Sequence, residues 1–444
     1  MRDHSSHIEI SRDEAAGALL EASGFIKTLE TTGIPADRKE RIQLKQAMGR
    51  VLAEDVIARV DLPNTRICCM DSVAVHWTDF EEGVTPDVTD WKRGINWEFA
   101  NTGIAMPEGF DTAIVIEHIE LDEDENIIGI KALPSCQFAG TSEPGSRVKT
   151  GTVLAKKGSV ITPDLAAVIA GGNEFLVTVV KKPRVAFLPT GNELVVIGSD
   201  CAIPGKNPET NSILLEAKVD AWGGECLTFP IIPDNYEALK AAIKEAGEAS
   251  DIIVLNAGSS KGSEDWSVEV LEELGTVLYH QVMHGPSHHC FAGVVDGKVV
   301  CGISGPPAGA SFAMDFYLRP LLMAWLGLDP KPVTIKARLA KDFEKKPYDH
   351  VGKITGETRP YESHPNNSFA RVKPMLLMLS PEGVVEAHPL PGRPGSRAAF
   401  HANALYLLMA RPDGVNPQVG DVIDCELREP TLLANVKPYV ADTE

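Results

Sequence analysis

No stretch of this 444-residue chain is apolar for long enough to span a bilayer, and the opening residues, MRDHSSHIEIS, lack the apolar centre of a secretory leader. No Cys-x-x-Cys pair occurs among the eight cysteines, at 68, 69, 136, 201, 226, 290, 301 and 425, so the usual framework for structural zinc is missing. These thiols are scattered through apparent strands, as expected in a reducing cytoplasm. Basic residues are the minority. Forty-two Lys and Arg against 62 Asp and Glu give a formal net charge of −20, and no basic face stands out for nucleic acid. Neither a Walker motif nor a dinucleotide fingerprint is complete. The expectation is a cytoplasmic protein with neither nucleic acid nor membrane as partner. An anionic ligand would have to be held locally, by loop amides, helix ends and a few cations. A cation such as magnesium suits the acidic balance, which serves solubility as well.

What is present is globular material: 43% hydrophobic and 23% charged residues over a length too great for one core. The stretch from Ser250 to Leu274 carries the clearest signal. Asp251-Ile252-Ile253-Val254-Leu255 has the β-branched texture of a strand buried on both faces. It runs into Asn256-Ala257-Gly258-Ser259-Ser260-Lys261-Gly262-Ser263, and Asp265-Trp266 then open a helical pattern. Strand, small-residue loop and helix is the arrangement that turns backbone amides and a positive helix end toward an anion. An ordinary strand-to-helix connection has the same outline.

The N-terminal section has a capping box at Ser11 to Glu14, then apolar residues at helical spacing through Ile26, and a second expected helix over 36–48 ending at Gly49. Residues 62–150 change to short strands, with candidates at 73–75, 112–116 and 127–130 and an acidic hairpin tip at 122–126. Thr162-Pro163 marks a cap and first turn for a helix over 164–170. This third section is expected to return to the first domain, making the β-rich section an insertion.

From Pro183 strands alternate with helices, which implies a parallel, doubly wound sheet. Expected elements are a strand over 184–188, a helix from Asn211 (read as its cap) to Trp222, a strand over 227–232, and an amphipathic helix through Leu239, Ile243 and Ala246. An Asp296-Gly297 hairpin and a long helix over 308–326 follow. Loops after Leu188, Leu255 and Ile303 all leave the carboxyl ends of strands, where one crevice can gather them. Beyond Pro330 and Pro332 the pattern is β-rich with Pro/Gly turns, as in a small barrel or sandwich.

Several of these loops, taken in order, resemble the molybdopterin molybdotransferase family, which includes the C-terminal domain of gephyrin. The matching residues are Gly49-Arg50-Val51-Leu52-Ala53-Glu54-Asp55, Met70-Asp71 with Val73-Ala74-Val75, and Thr102-Gly103 with Pro107-Glu108-Gly109. Pro183-Arg184-Val185-Ala186, Thr190-Gly191-Asn192-Glu193-Leu194, Asp234, Gly258, Gly262, Asp265 and Val419-Gly420-Asp421 continue the series. Each match is short; the colinear set is specific.

The resemblance implies an α/β multidomain fold in four parts. These are an N-terminal mixed domain (1–61, continued by 151–182), an inserted β-rich domain (62–150), a doubly wound pterin-binding domain (183–328) and a C-terminal β-barrel (329–444). It further implies an L-shaped subunit, a homodimer, a magnesium requirement, and insertion of molybdenum from molybdate into adenylylated molybdopterin. Asp71, Glu193, Asp265 and Thr102 would be the catalytic residues, with Asp71 and Glu193 also holding metal. Asp71 would reach the pocket across the dimer interface. Thr190, Gly191, Asp234, Gly258, Ser259, Ser260, Lys261, Gly262 and His288 would bind the pterin and its phosphate. Asp265 also stands where a helix cap would stand.

The chain departs from the family at four places. Asp71-Ser72-Val73 replaces Asp-Gly-Tyr, and Gly145-Ser146-Arg147 replaces Gly-Glu-Asp. Gly285-Pro286-Ser287-His288-His289 stands in place of a Lys-Pro-Gly-Lys-Pro loop, and Ser304-Gly305-Pro306-Pro307 in place of Pro-Gly-Asn-Pro. Two fixed cations are thereby lost, each worth about 1.5–3 kcal/mol as a charged hydrogen-bond partner. Arg147 and Lys261 are candidates to compensate. The dense donor cluster His280, His284, His288, His289 and Cys290 suits a transition metal by type, although Gly285-Pro286 interrupts its spacing. The alternative to a transferase is a paralogue that binds or carries the molybdenum or tungsten cofactor, handing it to a client enzyme.

Overall fold

A computed structural model describes residues 9–80, 84–199, 203–256, 266–343, 369–390, 400–409 and 416–428. The chain forms two compact units, one of residues 39–180 and one of 1–38 with 181–444.

In the smaller unit, strand Lys39–Gln43 pairs antiparallel with Leu176–Val180. The expected helix over 36–48 is therefore replaced by this strand between two short 3-10 turns, Ala36–Arg38 and Leu44–Gln46. Lys-Glu-Arg-Ile-Gln is acceptable locally as a helix. Pairing with the valine-rich partner satisfies its backbone and puts Ile42 against the core of Leu44, Leu52, Ile161, Ile169 and Val177, so tertiary structure overrides propensity. Thr162 caps the helix Pro163–Gly171 by accepting the Leu165 N–H at 3.2 Å. A separate core of Val73, Val75, Trp97, Ile114, Ile119 and Ile127 lies on a three-stranded sheet, with Ser72–Val75 between Trp97–Ala100 and Thr112–Val115. The two cores share no residue.

The larger unit starts with strand Glu9–Ile10, parallel to Gln281–Val282. The Ser11–Glu14 capping box starts the helix Arg12–Ser23. Gly24, at φ 65°, stops it in the left-handed conformation, so the apolar pattern through Ile26 is divided between two helices, the second being Phe25–Thr32.

A six-stranded sheet follows, in the order Glu225–Thr228, Arg184–Pro189, Ile252–Asn256, Lys298–Ile303, Phe291–Val295, Gly275–Tyr279. The first four strands are parallel; the last two join antiparallel. Asp296 and Gly297, at φ 49° and 75°, turn the hairpin as a primed two-residue loop requires. Ile252–Asn256 is wholly buried, as its unbroken apolar run demands, and packs in a core with Ala186, Leu188, Ile243, Leu271 and Phe291. The closing helix differs from the expected uninterrupted one. It runs Pro307–Ala313, makes a π turn over Met314–Leu318 and resumes as Arg319–Leu326. Pro320 has no N–H to give its preceding turn, and the wider turn absorbs the misfit.

The C-terminal strands Thr334–Leu339, Ala370–Leu379, Val385–Pro389, Ala404–Met409 and Val422–Leu427 close on themselves as a five-stranded barrel. The barrel is fastened to the π turn by a buried charge cluster. Arg428 Nε donates to Asp315 Oδ2 at 2.7 Å, Lys218 Nζ donates to Asp315 Oδ1, and Arg428 also donates to the Ser311 hydroxyl. Burial pushes the Asp315 carboxyl up, but Arg428 and Lys218 outweigh it and hold the group below the usual carboxylate range.

Asp315→Ala removes the carboxylate shared by two buried cations and should cost about 3–5 kcal/mol in chemical denaturation. Because the folded carboxyl is the stronger acid, its contribution is complete above the unfolded value and fades as pH falls through the folded one. A loss under about 1 kcal/mol would show the cluster to be dispensable.

Candidate functional site

Pro189, Asn256 and Ile303 lie in register at the carboxyl ends of three adjacent parallel strands. Register alone thus starts their outgoing loops on one line. The first loop is tied down at every residue. Thr190 donates both its N–H (3.1 Å) and its hydroxyl (2.9 Å) to the Asn256 carbonyl. Gly191 N–H donates to Ile232 O, and Asn192 N–H donates to Asp234 Oδ2 at 2.8 Å while the Asn192 side-chain oxygen accepts from Asp234 N–H. Thr190 and Asp234 therefore shape the loop through their own hydrogen bonds. Gly191 has φ 144°, and a Cβ there would stand 2.4 Å from a Glu193 carboxylate oxygen, so the Glu193 side chain folds over the glycine. Lys206 donates to Asn192 O and brings a cation to this loop.

The second loop begins at Asn256, a buried side chain whose Nδ2 donates to Ser304 O at 3.0 Å. Its Oδ1 accepts from Asn211 Nδ2 at 2.8 Å, and the same Nδ2 donates to Gly305 O at 2.8 Å. Asn211 does not cap its helix. It is the first residue of Asn211–Ala221, and capping falls to Glu209, whose carboxylate accepts the N–H groups of Asn211 (2.7 Å) and Ser212 (3.1 Å). Gly258, Ser259, Ser260, Lys261, Gly262 and Asp265 lie outside the described residues, which resume at Trp266 before the helix Ser267–Leu274.

The histidines do not gather as ligands. Among the described residues no three His, Cys, Asp or Glu side chains are placed to hold a metal ion. His284 is buried with both ring nitrogens engaged: Nδ1–H donates to Pro286 O (2.9 Å), and Nε2 accepts from the Tyr317 hydroxyl (2.6 Å). A carbonyl can only accept, which fixes this tautomer. Burial drives its imidazole down to about 3. His288 donates through Nδ1 to Val282 O at 2.6 Å, with Glu9 Oε1 at 3.5 Å from the same nitrogen. The Cys290 thiol is buried and pushed up to about 12. Ser287 holds φ 73°, steadied by the 2.8 Å hydroxyl contact to Ser304.

In the smaller unit, Asp71 and Thr102 meet directly. Asp71 Oδ1 accepts the Thr102 N–H at 2.9 Å and its hydroxyl at 3.0 Å, and these two donors hold the exposed carboxyl below its usual range. The Thr102 hydroxyl is thus turned onto Asp71. No ion pair involves Asp71 among the described residues.

Glu209 and Lys206 carry no sequence signal of a site role, and Asn211 and Asn256 read there only as a helix cap and as the start of a loop. Asn211 offered the cap signal, Asn before a helix, and only three-dimensional placement shows its side chain bridging to two strand ends. The alternation of strand and helix was the available signal for Asn256, as the last residue of a buried strand.

Residues 10–172 match the model of the MoeA N-terminal region (domain I and II), and residues 186–324 match that of a probable molybdopterin binding domain. A molybdopterin molybdenumtransferase of Staphylococcus aureus (strain COL) is 28% identical over 406 residues, covering 87% of this chain and 91% of that protein. The Staphylococcus epidermidis protein of the same name (strain ATCC 12228) is 25% identical over the same length. The crystal structure of a molybdopterin biosynthesis MoeA protein from Pyrococcus horikosii superposes with a TM-score of 0.70 at 23% identity, covering 95% of this chain and 99% of that one. No helix of the described residues is long and apolar enough to cross a membrane. Fold, strand-end site and relatives define an enzyme of molybdenum cofactor biosynthesis with a molybdopterin-binding domain. The chain belongs to the molybdopterin molybdotransferase family.

His284 predicts an acid-labile fold. Its folded value of about 3 lies below the ordinary histidine value of 6.5, so the unfolded chain binds a proton first as pH falls. Its contribution is whole above that unfolded value and should erode by about 1.4 kcal/mol per pH unit across the window down to the folded one. His284→Gln should flatten this slope in denaturation curves; an unchanged slope would show that another group sets it.

Proposed function

We propose that the protein inserts molybdenum from molybdate into adenylylated molybdopterin with release of AMP, acting as a cytoplasmic homodimer. The observation that carries this reading is the joint match of one chain to the pterin-binding domain and to the region holding Asp71. The Asp71 carboxylate is unpaired with any described cation and fixed by two donors from Thr102. A fixed, ionised carboxylate at the reacting centre supplies charge and orientation with no rearrangement during the reaction. In this reading Thr102 positions Asp71. Thr190, Gly191 and Asp234 hold the loop that carries Glu193, and 62–150 is an inserted domain, supported by its separate core. Magnesium prefers carboxylate, water and phosphate oxygens. Asp71 and Glu193 offer that chemistry and would hold the ion, which would offset charge on the substrate phosphates.

One feature favours a second reading, a carrier of finished cofactor for a client enzyme. His288 stands where the resembling family has a lysine, and its Nδ1–H is committed to Val282 O. Phosphate is then held with fewer fixed charges.

Single-turnover conversion of adenylylated molybdopterin with molybdate and magnesium separates the two. Wild type should form product, and Asp71→Ala should lose at least about 100-fold in rate. The variant should still bind the pterin and elute as the dimer. Pterin binding without wild-type turnover would leave the carrier; a monomeric Asp71→Ala would make Asp71 structural; absence of both binding and turnover would overturn both readings.

A further inference from the structure

The start of the helix Asn211–Ala221 abuts the strand-end cluster, and a helix of this length ordinarily offers free amides to an anion. This one does not. The Glu209 carboxylate, almost fully buried, already accepts the N–H groups of Asn211 and Ser212, so a negative charge is built into the helix start. A phosphate placed beside it would meet like charge, with two of the amides already taken.

Asn211 adds an observation of its own. Its side chain is 4% exposed, and its amide nitrogen is spent on Asn256 Oδ1 and Gly305 O. Two acceptors facing one end of the amide fix which end is nitrogen; a flip would set oxygen against oxygen. The other end, Oδ1, is buried and has no hydrogen-bond partner among the described residues. Leaving such an oxygen unsatisfied costs about 1–3 kcal/mol, and buried orphans of this kind are rare. It is an acceptor without a donor, and the carboxylate of Glu209 at the same helix start is another acceptor.

We infer that Asn211 Oδ1 and the Glu209 carboxylate form an acceptor wall that reads the N–H edge of a 2-amino-4-oxo pterin ring, with the phosphate directed elsewhere in the site. This rests on the pterin-binding reading above and specifies which part of the ligand lies at which strand end. A pterin presents an exocyclic amine and a ring N–H side by side, donors to match two acceptors. A lumazine, with a carbonyl in place of that amine, presents an acceptor and is rejected. The discrimination arises from leaving buried polar groups unpaired with the wrong ligand.

The test uses the full-length protein and two probes, 6-hydroxymethylpterin phosphate and its lumazine counterpart, with inorganic phosphate as a third. Wild type should prefer the pterin by about tenfold or more, equivalent to about 1.4 kcal/mol. Asn211→Ala should lose about that factor for the pterin beyond any loss for the lumazine, bringing the ratio of the two near one. Glu209→Gln keeps an acceptor for the helix amides but turns a donor toward the ligand, and should also lower the ratio should Asn211→Ala fold poorly. Pterin binding without preference in wild type would overturn the inference alone, as would an unchanged ratio in both variants. A bound-state structure with only a trapped water on Asn211 Oδ1 would overturn it too. Failure of wild type to bind either heterocycle would overturn the pterin reading with it.

Discussion

Asn256 is the residue through which the strand ends are held together. Its carbonyl receives two donors from Thr190, its amide nitrogen reaches Ser304 O, and its amide oxygen takes a proton from Asn211. One asparagine at the end of the central buried strand thereby connects the loop of the neighbouring strand, a helix start and the next strand's exit. In a low-dielectric setting such a chain is either completed or costly. Among the described residues it is completed except at one oxygen of Asn211, and the loops beyond Pro189 and Ile303 inherit their positions from it.

Charge is distributed accordingly. The net charge of −20 gives no general attraction for an anion, so cations at the site matter individually. Lys206 meets the first loop from the side, and Arg428 and Lys218 are consumed by Asp315 in fastening the barrel. The histidine segment is mostly architectural: His284 is a neutral interior group bonded to Tyr317, and His288 is tethered to Val282.

Much of the fold was legible because its signals are local and periodic. The apolar run at 252–255 could only be a strand buried on both faces, Thr162-Pro163 announced a helix start, and Asp296-Gly297 announced a hairpin. Two of the misreadings share a cause, each settled by a partner remote in sequence. Lys39–Gln43 became a strand because Leu176–Val180 pairs with it, and Asn211 gave up its cap because Asn256 and Gly305 claimed its amide. At the site, sequence indicated which strand ends carry loops but not which side chains those loops spend on themselves. Thr190, Asp234 and Thr102 proved to be largely internal in their bonding, a distinction that only hydrogen-bond geometry makes.

The short segment 281–285 has a consequence for how this protein is built up from parts. The Met283 N–H is satisfied by Ile10 O, and the Met283 carbonyl by the N–H of Ala370. One comes from the N-terminal strand and the other from the barrel, and Gln281–Val282 and His284–Gly285 extend the same two ladders. Two regions that are distant in sequence thus cover opposite backbone groups of a single residue. Lifted out alone, the doubly wound domain would bare both as open strand edges, the groups by which chains aggregate. The domain is therefore not an interchangeable cassette. A free-standing protein of this fold has to invent another cover for that segment, and fusion to both neighbours is how this chain does without one.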